Sequence, residues 1–205
     1  LRKSIKKGAW SRVFLLPSQL TAPNAEKLRD ALPGDIFAVE PLPRKGAEHD
    51  ADECFAHFDA VIERLLDGGY DALRVVADFT RGTKAMSAAL VLAAAGRGLA
   101  TLRYISSAQR DQRGMVVPGT EVVEETSTRL ATARRDLDRA AEMVRRGAYG
   151  AALALLSGPK DPFFATVPEA FQRATANLHA LAAGLAAWDR FDYGDALDRL
   201  GEVPQ

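Results

Sequence analysis

The chain has 205 residues, 47% of them hydrophobic and 26% charged, so it can bury a sizeable core as one large domain or two small ones. Its 27 basic and 27 acidic residues cancel to a formal net charge of zero, which excludes the broad basic surface typical of proteins that bind duplex nucleic acid. One cysteine, Cys54, excludes an internal disulfide, and the longest apolar run, residues 88–95, is far shorter than the roughly 20 residues that span a bilayer.

These features predict a cytoplasmic protein without a membrane segment. A lone cysteine fits a reducing compartment, and the basic start at residues 2–7 is not followed by the apolar region of a signal peptide. The chain opens on Leu1 instead of a methionine and stops soon after a short predicted helix. We therefore expect it to be part of a longer protein.

The first predicted strand, residues 12–16, leads into a polar loop at residues 17–24. The candidate ligand-binding side chains of this loop are Ser18, Gln19, Thr21 and Asn24. In open α/β sheets, ligands bind at the carboxyl ends of the strands, where this loop would lie. Alternatively, the loop is a proline-ordered turn with Thr21 or Asn24 capping the next helix, and on this loop alone we prefer that interpretation. The helix is predicted to run to about residue 32, with a buried stripe of Ala25, Leu28, Ala31 and Leu32.

A second strand is predicted at residues 36–39, followed by a connector with two prolines and a helix over residues 50–66. The apolar face of this helix would consist of Phe55, Phe58, Ile62, Leu65 and Leu66. The same stretch holds four side chains of metal-ligating type, His49, Glu53, Cys54 and His57. We predict no metal site, because Glu53 and His57 form an ordinary i,i+4 pair and the aspartates at positions 50 and 52 are what a helix N-terminus favours.

The chain is organised around residues 73–97, which predict a strand, a polar turn and a buried helix. The strand is the β-branched-rich run of Leu73, Val75, Val76 and Ala77, which suits burial on both faces of a parallel sheet. The turn supplies hydroxyls, a glycine and two cations, at Thr80, Arg81, Gly82, Thr83 and Lys84.

If the helix begins near Thr83, its first backbone N–H groups and the positive end of its dipole point into the turn, which makes an anion site. Alternatively, Thr83 is only an N-cap, Gly82 only permits a tight turn, and Lys84 lies in solvent. The spacing matches neither G-x-x-x-x-G-K-[ST] nor G-x-G-x-x-G, so a triphosphatase loop and a dinucleotide fingerprint are both unsupported.

Residues 78–87 read Asp-Phe-Thr-Arg-Gly-Thr-Lys-Ala-Met-Ser. They closely resemble the Asp-x-Thr-Gly-Gly-Thr-Lys-x-Met-Ser signature of CARF domains, the CRISPR-associated Rossmann-fold sensors of cyclic oligoadenylate second messengers. Arg81 stands where that family usually has its first glycine, and an arginine there can add a phosphate contact. The resemblance implies that the first strand-to-helix loop, residues 17–24, also contributes to the ligand site.

The next predicted strand, residues 100–105, ends in Ser106 and Ser107, and residues 115–117 with 122–123 are predicted to form an edge hairpin. These elements would close an α/β Rossmann-like domain with a mostly parallel sheet at residues 1–126. The resemblance to CARF domains covers this whole region, although only residues 78–87 are specific. The helix at residues 85–95 is apolar on every side apart from Ser87, so we expect either the C-terminal region or a second subunit to cover its outer face.

Residues 127–205 predict helices only. One helix is marked by Leu130, Ala133, Leu137, Ala140 and Val144, and a second by Phe171, Ala174, Leu178, Leu181, Leu185 and Trp188. Each is followed by a short helix, and the pair Tyr149-Gly150 recurs 44 residues later as Tyr193-Gly194. This resembles a duplicated helix-turn-helix, whereas the alternative is a chance match between alanine-rich helices.

The resemblance implies a sensor in CRISPR antiviral defence. A symmetric homodimer would bind a cyclic oligoadenylate of four or six adenosines, without a cofactor, and the helical region would signal to an effector beyond Gln205. We expect ligand contacts from Ser18, Gln19, Thr21, Asn24, Thr80, Arg81, Gly82, Thr83, Lys84 and Ser106.

A second hypothesis is a slow, metal-independent ring nuclease that cleaves the same ligand. Its catalytic candidates are Lys84 and Ser18, which with Thr83 would orient a ribose hydroxyl and stabilise phosphate charge. A third is a Rossmann-like enzyme or binding protein for another phosphorylated metabolite, for which no nucleophile or acid/base pair is visible. Arg173 and His179 loosely match the Arg-x4-6-His motif of HEPN ribonucleases, but the family prefers a polar residue at position 174, and we interpret the match as accidental.

Overall fold

The computed structural model describes residues 10–32, 36–107, 109, 117, 119–156 and 166–203. The chain divides into two compact units, Leu1–Arg129 and Leu130–Gln205. The described part of the first unit mixes strands with helices, and that of the second is helical. The architecture is thus an α/β unit followed by a helical unit. Within the described residues, no helix is long and apolar enough to cross a membrane.

The strands of the first unit are β1 (Val13–Leu15), β2 (Phe37–Val39), β3 (Val76–Asp78), β4 (Thr101–Ser107) and β5 (Glu121–Thr126). Its helices are α1 (Ala22–Asp30), α2 (Ala51–Asp67) and α3 (Lys84–Gly96), with a short 3₁₀ helix at Ala47–His49. In the second unit, α4 (Arg129–Arg145) precedes α5 (Tyr149–Leu155), and α6 (Glu169–Asp189) precedes α7 (Tyr193–Gly201).

The strands of the described part form two sheets. β1 pairs with β2 in parallel, while β3 pairs in parallel with β4, which pairs with β5 in antiparallel orientation. A Rossmann-like sheet of the order β2-β1-β3-β4-β5 would also join β1 to β3. The strand order within each sheet fits that arrangement, but the described hydrogen bonding leaves the two sheets separate.

The predicted bounds of the central strand were wrong at its start. Leu73 lies outside β3 and is 60% exposed. The cause is a turn that begins at Asp71. The Asp71 carboxylate accepts the Leu73 N–H at 2.9 Å, and the Asp71 carbonyl accepts the Arg74 N–H at 2.8 Å. The β-branched pair at positions 75 and 76 follows only after this turn ends.

Only part of the predicted edge hairpin lies within the described residues. Val122 and Val123 pair with Ser106 and Ile105 of β4, so β5 extends the main sheet. Residues 115 and 116, which were expected to pair with them, lie outside the described residues.

Two predicted apolar faces require correction. In α1 the expected stripe is not buried: the helix ends at Asp30, Ala31 is exposed, and Leu28 is only half-buried. In α2, Phe55 is 37% exposed, whereas Cys54 and Val61 are buried. The buried face follows positions 54, 58, 61 and 62. Phe55 lies at the margin of this face, about 20° around the helix from Ile62 and two turns nearer the N-terminus.

The core of the first unit forms mainly between α2, α3, β3 and β4. Its buried members are Leu42, Ala47, Cys54, Phe58, Ile62, Ala77, Met86, Ala89, Ala93, Ala94, Leu99 and Leu102. Small residues dominate on α3 because alanines allow it to approach α2 closely. The opposite side of α3 is exposed at Ala88 and at Leu92, which is 61% exposed.

The second unit consists of helix pairs in which a long helix precedes a short one, as predicted. At equivalent positions of the two short helices, Ala152 and Ala196 are both fully buried. The predicted stripe of α6 was partly wrong, because Ala174 and Trp188 are exposed. Small residues occupy the tightest contacts instead: a Cβ added to Gly184 would lie 2.7 Å from Leu200 Cγ.

Candidate functional site

The α3 corner, residues 78–84, links β3 to the start of α3. Thr83 is the N-cap, and its hydroxyl oxygen accepts the Met86 backbone N–H at 3.2 Å. The same hydroxyl donates to the carbonyl of Glu48, in the 3₁₀ helix after β2. Thr83 therefore caps the helix, as the alternative to an anion site predicted from the sequence. It also fixes the corner to a second loop.

Thr80 fixes the other side of the corner. Its backbone N–H donates to Asp78 Oδ1 at 2.9 Å, and its hydroxyl donates to the same carboxylate oxygen. The hydroxyl oxygen also accepts the Ile105 N–H of β4 at 2.9 Å. These bonds close a local turn and hold the end of β3 beside β4.

Gly82 is required by backbone conformation and by space. Its φ is +119°, a region that residues with a side chain rarely adopt. A Cβ there would also lie 3.1 Å from Met86 Cβ and 3.3 Å from Met86 Sδ. The neighbouring Arg81, where the CARF signature usually has another glycine, is exposed and has a negative φ.

Arg81 and Lys84 are the charged side chains of the corner that are free to meet an anion. Both are exposed, and within the described residues neither makes a hydrogen bond or an ion pair. The first turn of α3 contains no acidic residue, so no carboxylate of that turn offsets the positive end of the helix dipole. By contrast, Arg97 is held by Asp59 and Glu63, with N–O distances of 2.6 and 2.8 Å.

The loop after β1 is ordered by its own polar side chains. Ser18 is only 6% exposed, and its hydroxyl lies 3.0 Å from the Thr21 hydroxyl. Thr21 is the N-cap residue of α1, but its hydroxyl donates to the Ser18 carbonyl at 3.3 Å and makes no cap hydrogen bond. Asn24 is exposed within the first turn of the helix, so neither predicted cap acts through its side chain.

Hydrogen bonds connect the loops after β1, β2 and β3 in order, and the third of these loops to strand β4. The Gln19 side-chain amide donates to the carbonyl of Leu42, which joins the loop after β1 to the loop after β2. The Thr83 bond to Glu48 joins that loop to the α3 corner, and Thr80 joins the corner to β4. The loop after β2 was not among the predicted contacts, although its place at the carboxyl end of a parallel strand was a usable signal.

Ser106, the remaining predicted contact, lies near the end of β4. Its hydroxyl donates to Glu124 Oε1 of β5 at 3.2 Å. On the same strand, buried Arg103 pairs with Glu125 at 2.5 Å and stacks on Trp10, its guanidinium carbon 4.8 Å from the ring centroid. The described contacts of Ser106 are therefore with β5, not with the α3 corner.

The described residues of the corner offer two cations, hydroxyls and the Asp78 carboxylate, which accepts from Thr80, without a histidine or cysteine. His57 Nε2 lies 3.2 Å from the Glu40 carbonyl oxygen. The Cys54 thiol donates to the Ala47 carbonyl at 3.1 Å, and burial raises its pKa. No group of three potential metal ligands is present in the described part. In the helical unit, Arg173 of the loose HEPN match is exposed, and its Nη1 lies 3.5 Å from Glu169 Oε1. The exposed charged groups of the corner, Arg81 and Lys84, are both cations, which suit an anion.

No protein-family model matches the chain, and no curated protein shows significant similarity to it.

Proposed function

We propose that the α/β unit binds a cyclic oligoadenylate of four or six adenosines at the α3 corner and acts as a sensor in CRISPR antiviral defence. The observation that carries this proposal is the pair of exposed, unpaired cations, Arg81 and Lys84, at a helix N-terminus that lacks an acidic residue. The likeness of residues 78–87 to the CARF signature supports this choice of ligand over other phosphorylated molecules.

The energetics favour a ligand with phosphate groups. A helix N-terminus alone stabilises an exposed anion by only about 0.3–1 kcal/mol. A charge-assisted hydrogen bond from Lys84 or Arg81 adds roughly 1.5–3 kcal/mol each. Thus the two side chains are expected to contribute more than the helix does, and an arginine additionally suits bidentate contact with phosphate.

Retention of the ligand is favoured over its cleavage. The Thr83 and Thr80 hydroxyls each make hydrogen bonds within the chain, and the Ser18 hydroxyl lies 3.0 Å from that of Thr21. General acid–base catalysis typically contributes about 10²- to 10⁴-fold to a rate, and the corner has no histidine to supply it. Turnover is therefore expected to be absent or much slower than ligand dissociation.

The proposed sensor is a symmetric homodimer. A cyclic ligand made of repeated units is matched by two identical corners related by a two-fold axis. Ala88 and Leu92 give α3 an exposed apolar side that such an interface would bury. In this proposal the helical unit transmits ligand binding to an effector.

The test is incubation of the purified protein with cyclic tetra-adenylate and cyclic hexa-adenylate, with binding and products both recorded. A sensor binds one ring tightly and releases it unchanged. Rapid conversion to linear products bearing 2′,3′-cyclic phosphate, abolished in Lys84→Ala or Ser18→Ala, would identify a ring nuclease instead. Binding of neither ring would contradict both functions and leave another phosphorylated metabolite as the ligand class.

A further inference from the structure

An exposed aromatic patch surrounds the turn between α6 and α7. It consists of Trp188, Phe191, Tyr193 and Leu197, which are 55%, 77%, 50% and 68% exposed. Tyr193 contacts both other rings edge-on, at centroid distances of 5.1 Å to Trp188 and 6.4 Å to Phe191. This is a cluster of large apolar side chains on the surface, not a set of scattered ones, and such clusters mark binding sites.

Phe191 adopts a backbone conformation that disfavours it. Its φ is +63°, and it is the only residue other than glycine with a positive φ in the described part of the chain. The turn is a Schellman motif, in which the Asp192 N–H donates to the Ala187 carbonyl at 3.0 Å. Glycine is the preferred residue at this position, because a side chain costs stability there.

The first helix pair shows what the same turn looks like with the favoured residue. At the end of α4, the Ala148 N–H donates to the Met143 carbonyl at 2.9 Å, and Gly147 has a φ of +77°. Gly147 precedes Phe191 by the same 44 residues that separate Tyr149 from Tyr193. A strained, exposed phenylalanine thus stands where the equivalent turn uses glycine, so its ring is present at a cost to the stability of the turn.

The charges around the patch indicate the kind of partner. Residues 188–202 contain five carboxylates and two arginines, and one of these arginines, Arg199, is paired with Asp195 at 2.7 Å. Asp189 and Arg190 line a separate depression of about 280 Å³, together with residues 147–151 and without the four patch side chains. Aromatic faces together with an excess of carboxylates attract a cation, and a guanidinium can stack on rings while it pairs with a carboxylate.

We propose that the aromatic patch binds a polypeptide segment in which arginines alternate with apolar residues. The arginines stack on Trp188, Phe191 and Tyr193 beside the carboxylates, and the apolar side chains cover Leu197. The patch belongs to the helical unit alone, so this proposal does not depend on the ligand of the α3 corner.

The test uses Trp188 as the reporter in a Trp10→Phe background, since the chain has two tryptophans. The probe is a blocked peptide of alternating arginine and leucine, and the matched control peptide has glutamine in place of arginine. We expect a saturable change in Trp188 emission with the arginine peptide. The glutamine peptide should bind about two- to fivefold more weakly, the size of an exposed cation–π contact.

The decisive variant is Phe191→Gly. This substitution should raise the Tm, because glycine accepts the positive φ. It should also lower the affinity for the arginine peptide by about two- to fivefold. A lowered Tm, or unchanged peptide affinity, would overturn the proposal. Equal affinity for the two peptides would also overturn it. So would self-association of the chain in sedimentation that is lost in Phe191→Gly, because the patch would then join two copies of the chain.

Discussion

At the α3 corner, the side chains divide into those that shape the turn and those that face solvent. Thr83 and Thr80 each hold the corner to a neighbouring segment through their hydroxyls. Each such hydrogen bond contributes about 0.5–1.5 kcal/mol to stability. Arg81 and Lys84 take no part in this network. Loss of a threonine should therefore change stability first, whereas loss of a cation should change ligand binding first.

Gly82→Ala should destabilise the α/β unit by about 1–3 kcal/mol, the usual cost of a residue held in a sparsely populated backbone region. The added Cβ would meet Met86 at 3.1 Å as well. Urea denaturation followed by circular dichroism measures the change. Gly96→Ala is the matched control, because a Cβ added at Gly96 meets no other part of the protein within 4 Å and the φ of Gly96 is not positive. This substitution should leave stability unchanged or raise it. Equal stability of Gly82→Ala and the unmodified protein would refute the strained turn.

At the scale of elements, an ion pair joins the end of α3 to α2. Arg97 binds Asp59 with two hydrogen bonds, 2.7 Å from Nε to Oδ1 and 2.6 Å from Nη2 to Oδ2. These bonds hold the pKa of Asp59 below its usual range. The pair therefore stabilises the folded state most at pH values above the ordinary aspartate pKa of about 3.9.

The difference in free energy of unfolding between the unmodified protein and Arg97→Gln should accordingly depend on pH. It is expected to be fully present at neutral pH and to shrink as the pH falls below about 3.9 through the lowered pKa of Asp59. Urea denaturation at a series of pH values gives this difference. Arg29→Gln, which breaks the exposed pair with Asp30, should show little difference at any pH. A difference for Arg97→Gln that stays constant with pH would disprove the coupling.

Elements with strong local signals were predictable from the sequence. The starts of α2 and α3 follow from Asp50 and Thr83, whose side chains accept hydrogen bonds from the first turns of those helices. The start of β3 was misplaced because the Asp71 turn overrides the apolar run around Leu73. The buried face of α6 was misjudged because tertiary contact there depends on close approach at Gly184, which hydrophobicity alone does not reveal.

The local structure of the α3 corner was predictable because its residues are contiguous. The α3 corner could be read from residues 78–84, since Thr83 and Gly82 have local roles that spacing indicates. The loop after β2 could not, because Glu48 enters through a backbone carbonyl that any residue type can supply. Nor does local sequence reveal that the Ser106 hydroxyl is engaged by Glu124 across the sheet.

At the scale of the whole molecule, the proposed dimer follows from the exposed side of α3. Leu92→Asp should shift the protein from dimer to monomer at micromolar concentration, because it places a charge in an apolar interface. Sedimentation velocity gives the mass. Leu73→Asp is the control, since Leu73 is similarly exposed at 60% but lies in the turn before β3. A monomer before any substitution, or a dimer unaffected by Leu92→Asp, would show that α3 is not the interface.

The central claim is that the α3 corner holds the phosphates of a cyclic oligoadenylate, and the affinity of Lys84→Ala tests it most directly. Isothermal titration should show binding weakened by about 1.5–3 kcal/mol, or roughly 10- to 150-fold, for whichever ring the unmodified protein binds. Lys27→Ala, an exposed lysine near the end of α1, should bind like the unmodified protein. If Lys84→Ala binds both cyclic tetra-adenylate and cyclic hexa-adenylate with unchanged affinity, the corner is not the ligand site.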